Sequence, residues 1–287
     1  MTNRILVLGG TGMFGKPTAQ QLKADGFTVR LLARDVEKAR NIFPDGYEIM
    51  AGDVTDLASL EKAMAGCNGV HISIGGAVDQ LSAENVAALA PGLGVEHISY
   101  ISGATVAEKN RWFPMVAQKL EAEKVIRSSG VAYTIFCPTW PMEQLARFAQ
   151  DGKPALIGKQ PHPVHFFAVP DLAHMVSKAF QLAEARNQRF YVYGPQAMTL
   201  KTALERYCAV FYPQVKKIGV MPVWLVKMIA ALSGNEMFKF AANLMAYFDK
   251  TPEVGDPAEA NRILGAPATT LEAWMETLKM KRMEEIK

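Results

Sequence analysis

The sequence is poor in cysteine, and the three it has, Cys67, Cys137 and Cys208, are far apart. The number is odd and no CxxC pair occurs, which excludes a disulfide framework and points to a reducing compartment; a cytoplasmic location is expected. A surplus of one charge is also missing: 31 Lys and Arg stand against 28 Asp and Glu, a formal charge of +3. So small an excess gives no electrostatic ground for binding nucleic acid, and none is expected. Apolar runs are short of the roughly 18 residues that a spanning helix needs. The nearest approach, "MPVWLVKMIAALSG" followed by "MFKFAANLMAYF", is interrupted by Lys227, Asn235, Glu236 and Lys239. The apolar run that precedes Gly9 is too short for a signal peptide, and no small-residue cleavage site follows it. GxSxG, HExxH and P-loop patterns are absent, which leaves hydrolase and kinase chemistry without support. "HPVH" sets His162 and His165 at HxxH spacing, but on a Pro-rich stretch with no carboxylate or cysteine set beside it, so no metal site is expected.

What is present is a regular alternation. About half of the 287 residues are hydrophobic (49%), enough for one large domain or two small ones. "RILVL" (4–8), "TVRLLA" (28–33), "YEIMA" (47–51), "GVHISI" (69–74), "HISYIS" (97–102) and "AYTIFC" (132–137) are apolar on both faces, as strands of a buried parallel sheet are. Helix-length segments separate them, one of them opened by Asp56 as an N-cap. Strand and helix in alternation predict right-handed crossovers and a Rossmann-type, doubly wound α/β sheet. After residue 137 prolines cluster, a helix is expected from Pro170-Asp171, "RFYVYG" (189–194) reads as one more strand, and the rest is mostly helical. The expected organisation is a dinucleotide-binding domain over residues 1–150, its sheet completed by segments within 160–195, and a smaller, mostly helical substrate lobe over 151–287, interleaved with it.

"VLGGTGMFG" follows the first strand and opens the first helix, with Gly9, Gly12 and Gly15 in the spacing GxxGxxG and Thr11, Met13 and Phe14 between them. In such a loop the first glycine makes the turn, the second lets a pyrophosphate approach the backbone, and the third lets helix and sheet pack closely. The helix N-terminus then favours phosphate. Arg34 and Lys38 lie just past the second strand, where an acid would bind a ribose 2′-hydroxyl; basic residues there suit a 2′-phosphate, so NADP(H) is preferred over NAD(H), although Asp35 adjoins them and both cations could be merely solvated. In "GDVTD", Asp53 and Val54 would meet the adenine, or Asp53 is only a turn residue.

On these residues the chain resembles the short-chain dehydrogenase superfamily, and more closely its atypical NmrA-like and isoflavone-reductase-like branch. "GGTGMFG", "ARD" with Lys38, "GDVTD", "HISYISG", "KLEAEKVIRSSGVAYTIFCP" and "HFFAVPDLAHMV" carry the resemblance over residues 5 to about 180. It implies a nicotinamide lying at the ends of strands four to six, lined by Gly75, Ser102, Lys119 and Pro138 to Trp140. In the ordinary pattern a tyrosine is the acid, a lysine four residues later lowers its pKa, and a serine holds the substrate carbonyl. Here Lys119 is present and Ser102 stands near the serine's place, but the tyrosine position holds Met115, which has no useful proton to donate. Tyr100 and Tyr133 lie in strands and neither is assigned to the missing role. Isoflavone-reductase-like members rely on the lysine itself, so Lys119 would orient the cofactor, act as acid or base, or do both; the competing reading is a surface cation paired with Glu123 one turn on. Phe113, Thr139, Trp140 and Met142 are the expected apolar pocket, with ordinary core packing as the alternative.

Three functions remain open at this point. The first is an NADP(H)-dependent oxidoreductase acting on a small apolar carbonyl or enone with Lys119 in place of the Tyr/Lys pair. The second is a non-enzymatic NADP(H)-sensing regulator with a protein partner. The third is a membrane-associated accessory subunit that retains a cofactor, touching a bilayer peripherally through residues 220–248.

Overall fold

The computed structural model describes residues 3–285. Eleven strands occur among them: β1 (Arg4–Leu8), β2 (Thr28–Ala33), β3 (Glu48–Ala51), β4 (Gly69–Ile72), β5 (His97–Ile101), β6 (Ala132–Pro138), β7 (Ala155–Ile157), β8 (Val164–Phe166), β9 (Gln188–Val192), β10 (Gln196–Met198) and β11 (Gly219–Met221). The helices are α1 (Gly15–Ala24), α2 (Val36–Ile42), α3 (Leu57–Met64), α4 (Asp79–Leu89), α5 (Pro114–Ser128), α6 (Leu145–Phe148), α7 (Val169–Gln181), α8 (Leu200–Phe211), α9 (Val223–Ser233), α10 (Glu236–Phe248), α11 (Ala258–Leu264) and α12 (Leu271–Glu285).

The chain forms two compact units, one made of residues 1–138, 169–192 and 255–266, the other of 139–168, 193–254 and 267–287. In the first, seven parallel strands run in the order β3-β2-β1-β4-β5-β6-β9. This is the doubly wound sheet that the apolar runs predict, reversing direction between β1 and β4. Its seventh strand, β9, falls inside the 160–195 window, and the first stretch of the unit ends at Pro138 rather than at residue 150.

Each face of the sheet has its own core. Leu6, Leu8, Val70, Ile72, Ile98, Tyr100 and Ile135 meet α3, α4 and α5 on one side. Ile5, Val7, Val29 and Leu31 meet α1 on the other, where α7 packs beside α1. Asp56 caps α3 by accepting from the Ala58 amide, as its position before an apolar run predicts. The second unit holds the antiparallel pair β8–β10 and the parallel pair β7–β11 around a helical core containing Phe166, Leu204, Tyr207 and Trp274.

All three cysteines are buried thiols. Burial pushes the Cys137 thiol up to about 12 and raises those of Cys67 and Cys208 as well.

Two histidines lie in the first unit's sheet core. His71 Nδ1 is 3.0 Å from Ser99 Oγ, and His97 Nε2 is 2.8 Å from Thr134 Oγ1. Burial lowers their pKa values to about 3 and about 4. Both rings are therefore neutral in the folded chain at pH 5, while in the unfolded chain they take up protons below about 6.5. The unfolded state binds more protons, so stability is present above pH 6.5 and is lost as pH falls through the window toward 4. Each ring contributes up to about 1.4 kcal/mol per pH unit there. Melting temperature should therefore drop steadily from pH 7 to pH 5, and His97→Gln should make the slope shallower. A melting temperature flat across that range would refute the assignment.

Candidate functional site

The site begins where β1 runs into its glycine loop. Gly9 has φ +78°, and a Cβ there would stand 2.6 Å from the Ser73 carbonyl oxygen. A Cβ on Gly15 would come within 2.1 Å of the Gly9 oxygen, so α1 can start this close to β1 only as glycine. Gly12 differs. It is exposed, its N–H donates to the Gly9 oxygen at 2.9 Å, and a Cβ on it would touch only that oxygen, at 3.1 Å. Packing thus explains Gly9 and Gly15 and leaves the outward face of Gly12 as a cradle that a side chain would fill. Thr11 is exposed beside it, Met13 and Phe14 are half-buried, and α1 begins without a side-chain cap or an acid in its first turn. A loop of this form fits the pyrophosphate of a dinucleotide.

Arg34, at the carboxyl end of β2, has a side chain 84% exposed, with Nε 4.0 Å from Asp53. Its neighbour Asp35 is turned the other way: it caps α2 by accepting from the Lys38 amide at 2.9 Å. The acid that clouds the sequence reading is therefore engaged by its own helix, while Arg34 and the Lys38 side chain face solvent. Asp53, past β3, accepts from the amide and hydroxyl of Thr55, and those two bonds hold its carboxyl below the usual range. The Val54 carbonyl accepts from Asn85 at 2.8 Å.

Lys119 stands on α5, which starts at Pro114 after Phe113. Its Nζ lies 2.6 Å from Asp79 Oδ2, 2.9 Å from the carbonyl oxygen of Ile101 and 3.2 Å from the Tyr100 hydroxyl. Ile101 ends β5, so the ammonium sits at the carboxyl edge of the sheet, where open α/β sheets take ligands. The pair is largely out of water, with side-chain exposures of 13% for Lys119 and 4% for Asp79. Tyr100 donates to the other Asp79 oxygen at 3.1 Å. Burial, and then the Asp79 charge, raise its phenol well above the ordinary value, so it stays protonated. An ammonium has three protons, and here all three have acceptors inside the protein.

Glu123, the partner that a surface lysine would have one turn on, is instead buried. It accepts from Ser102 Oγ at 2.6 Å and from Arg189 Nε at 2.9 Å. The Ser102 hydroxyl is thus turned toward α5. Met115, one turn before Lys119, is half-buried. Gly75 follows β4 in an open position, where a Cβ would meet nothing within 4 Å. Pro138 closes β6, its carbonyl accepting from the Ala104 amide at 2.9 Å. Gly75, Ser102, Lys119 and Pro138 all belong to the first unit, at or beside the carboxyl ends of β4, β5 and β6.

The expected pocket residues divide. Phe113 is buried in the first unit; Thr139, Trp140 and Met142 belong to the second. The Thr139 hydroxyl donates to the His165 carbonyl. The Trp140 ring lies 5.8 Å from Phe148 and 4.9 Å from Phe248, and Met142 is fully buried.

Asp79 is the residue that sequence reasoning missed around Lys119, 40 positions away and beyond any helical spacing, and Tyr100, a strand residue assigned no role in the sequence, stands beside the same ammonium. It also missed Glu253, which accepts from both the amide and the ring of His165, at 3.0 and 2.8 Å, and whose carboxyl is raised by burial. No cluster of three or more metal-ligating side chains occurs among the described residues.

A family model described as NAD(P)H-binding matches residues 9–179, more than half of the chain and all of the glycine-loop, Lys119 and β6 geometry. The chain belongs to this NAD(P)H-binding family. Its place among atypical, NmrA-like short-chain dehydrogenases, expected from the motifs, holds. Two relatives of the NAD(P)H-binding chain are the NAD(P)H azoreductase of Xenophilus azovorans, 28% identical over 88% of this chain and 94% of that one, and the photosystem II assembly factor Ycf39 of Trieres chinensis, 24% identical over 84% and 78%. The fold is shared with the triphenylmethane reductase of a Citrobacter species, solved as a complex with NADP(H), at a TM-score of 0.76 and 21% identity over 96% of this chain and 99% of that one.

The glycines give a paired prediction. Gly12→Val should leave the melting temperature within a few degrees of the parent and abolish NADPH binding. Gly15→Ala, driven into the Gly9 carbonyl, should lower the melting temperature itself. Normal NADPH affinity in a folded Gly12→Val protein would show that the loop is structural only.

Proposed function

We propose that the protein is an NADP(H)-dependent oxidoreductase that reduces small, electron-poor, conjugated acceptors, a class that includes quinones, azo compounds and enones. The observation that carries this is the saturated Lys119: its ammonium is fixed at the end of β5 with every proton engaged, and the tyrosine position is methionine. Such a site presents a fixed ammonium, its charge matched by Asp79, and no ready acid. A simple ketone needs a proton delivered as charge develops on its oxygen. A quinone or azo acceptor delocalises that charge and asks only for electrostatic stabilisation. The azoreductase name of one relative and the dye-reductase name of a structural neighbour support the same class.

In this reading Gly12 admits the pyrophosphate and Arg34 and Lys38 receive the 2′-phosphate. Lys119 replaces the Tyr/Lys pair as a fixed cation, and the bound nicotinamide supplies the hydride. The second reading, a non-catalytic NADP(H) sensor, is favoured by the same engaged Lys119 and by the Ser102 hydroxyl bound to Glu123. An accessory role like that named for Ycf39 is the third.

NADPH oxidation measured over a panel of quinones, azo dyes and simple ketones decides among them. Turnover of the first two classes and not of ketones is expected; no turnover of any would move the sensor reading ahead. By titration calorimetry, Arg34→Ala should weaken NADPH by about 1.5–3 kcal/mol, the worth of a charge-assisted bond, and leave NADH nearly unchanged. Equal losses for both cofactors would refute the 2′-phosphate contact.

Lys119→Met should destabilise the fold by about 3–5 kcal/mol, because Asp79 is left as an uncompensated buried carboxylate. Adding Asp79→Asn should recover most of that stability but not the turnover. If the double variant regained full turnover, the fixed cation would have no part in catalysis.

A further inference from the structure

Thirteen large apolar side chains are exposed among the described residues, and six of them fall within residues 220–240: Val220, Trp224, Met228, Ile229, Leu232 and Phe240. Most of this patch belongs to α9. The helix buries Val226 and Ala230 against Ala242 of α10, in the second unit's minor core. On its other side Trp224, Met228 and Leu232 recur every fourth residue, so they lie along one face. Trp224 is 68% and Leu232 81% exposed. A helix that faces water carries polar residues on its outer side; this one carries a single charge, Lys227. Gly234, at φ +63°, ends α9, and Asn235 caps α10 by accepting from the Phe238 amide, so the turned chain presents Phe240 as well. Contiguous apolar surface of this kind marks a surface that is covered in use.

The charges around it say by what. Residues 214–250 contain five lysines, at 216, 217, 227, 239 and 250, and two carboxylates. All five lysines are exposed. Of the carboxylates, Glu236 is held by Lys239 at 3.5 Å, and Asp249 accepts from the Gln160 amide at 2.7 Å. The surplus of three positive charges equals the formal net charge of the whole chain, so the remainder of the sequence is balanced and its excess resides here. A second copy seated on this face would bring like charges together. An anionic surface would meet lysines at its charged level and aromatic and aliphatic side chains below it. At 11 residues α9 is about 16 Å long, half the thickness of a bilayer core, and no helix among the described residues is long and apolar enough to cross a membrane.

We propose that the α9–α10 hairpin is a peripheral docking surface for an anionic lipid bilayer. The outer face of α9 lies in the interface with Trp224, Met228 and Leu232 inserted, and Lys216, Lys217, Lys227 and Lys239 sit over the headgroups. Docking of this kind scales with both buried apolar area and lipid charge, so it requires the two together. It is independent of the reaction, since none of these side chains belongs to the cofactor site.

The test is vesicle flotation of the full chain with NADPH bound, using phosphatidylcholine vesicles with and without phosphatidylglycerol. The protein should float with the anionic vesicles, less so as salt is raised, and stay behind with phosphatidylcholine alone. Leu232→Glu and Trp224→Glu should each lower partitioning about tenfold or more, the worth of burying one such side chain. Lys216→Glu with Lys217→Glu should lower it and flatten the salt dependence. Melting temperature and NADPH affinity should remain close to those of the parent in each variant, because the altered side chains are exposed and lie outside the core clusters. No flotation with anionic vesicles at low salt would overturn the proposal, as would flotation unaffected by Leu232→Glu. So would a concentration-dependent dimer, without lipid binding, that Leu232→Glu dissolves: the cover would then be a second copy of the chain.

Discussion

The ion pair between Asp79 and Lys119 ties together the parts of the first unit on which the site depends. Asp79 opens α4, Lys119 lies in the second turn of α5, and the Ile101 carbonyl that takes one of the ammonium protons ends β5. Two charges taken out of water are costly unless each is paired and its remaining valences are met. Here Tyr100 meets the second Asp79 oxygen, and the lysine has no proton left over. The arrangement has one low-energy geometry, and it sets how α4 and α5 lie against the carboxyl edge of the sheet. The neighbouring network of Ser102, Glu123 and Arg189 does the same between β5, α5 and β9. An ammonium fixed at the end of β5 and balanced by Asp79 is thus a built feature of the fold, held from three elements.

Local patterns in the sequence announced most of the frame. "TVRLLA" occupies β2 to the residue, Asp56 caps the helix that it precedes, and the glycine spacing is met by a Gly15 that no other residue could replace. These are short-range constraints: a strand buried on both faces is mostly apolar, its few polar side chains paired, and a cap must stand just before its helix. What could not be read depended on contacts across the chain. Helical spacing makes Glu123 the natural partner of Lys119, yet burial of that helix face beside β9 gives Glu123 to Arg189, 66 positions away, and Lys119 to Asp79. Asp35 looked like a rival to Arg34 because its carboxylate is adjacent in sequence; only the backbone shows that carboxylate folded back onto the Lys38 amide.

The division into units was legible as an interleaving of two parts, but not in its boundaries. The chain leaves the first unit after Pro138, returns for residues 169–192 and again for 255–266. The prolines that cluster after residue 137 mark the first crossing, and "RFYVYG" can be read as a strand, but nothing in those residues says that β9 lies next to β6. Thr139, Trp140 and Met142 follow β6 directly and read as one group with Pro138, but Trp140 stacks on Phe148 and meets Phe248 edge-on in the second unit, and Met142 joins its core.

The buried thiols acquire a meaning beside the proposed chemistry. Quinones and related acceptors are electrophiles, and the group in a protein that they arylate fastest is an accessible thiolate. Cys67, Cys137 and Cys208 are all enclosed, and each is held in its unreactive thiol form by the apolar surroundings that raise its pKa. A catalyst that meets such compounds turnover after turnover would be inactivated by its own substrates if one cysteine stood at the surface. Under the proposed chemistry, the packing of the three sulfur atoms would shield them from such substrates.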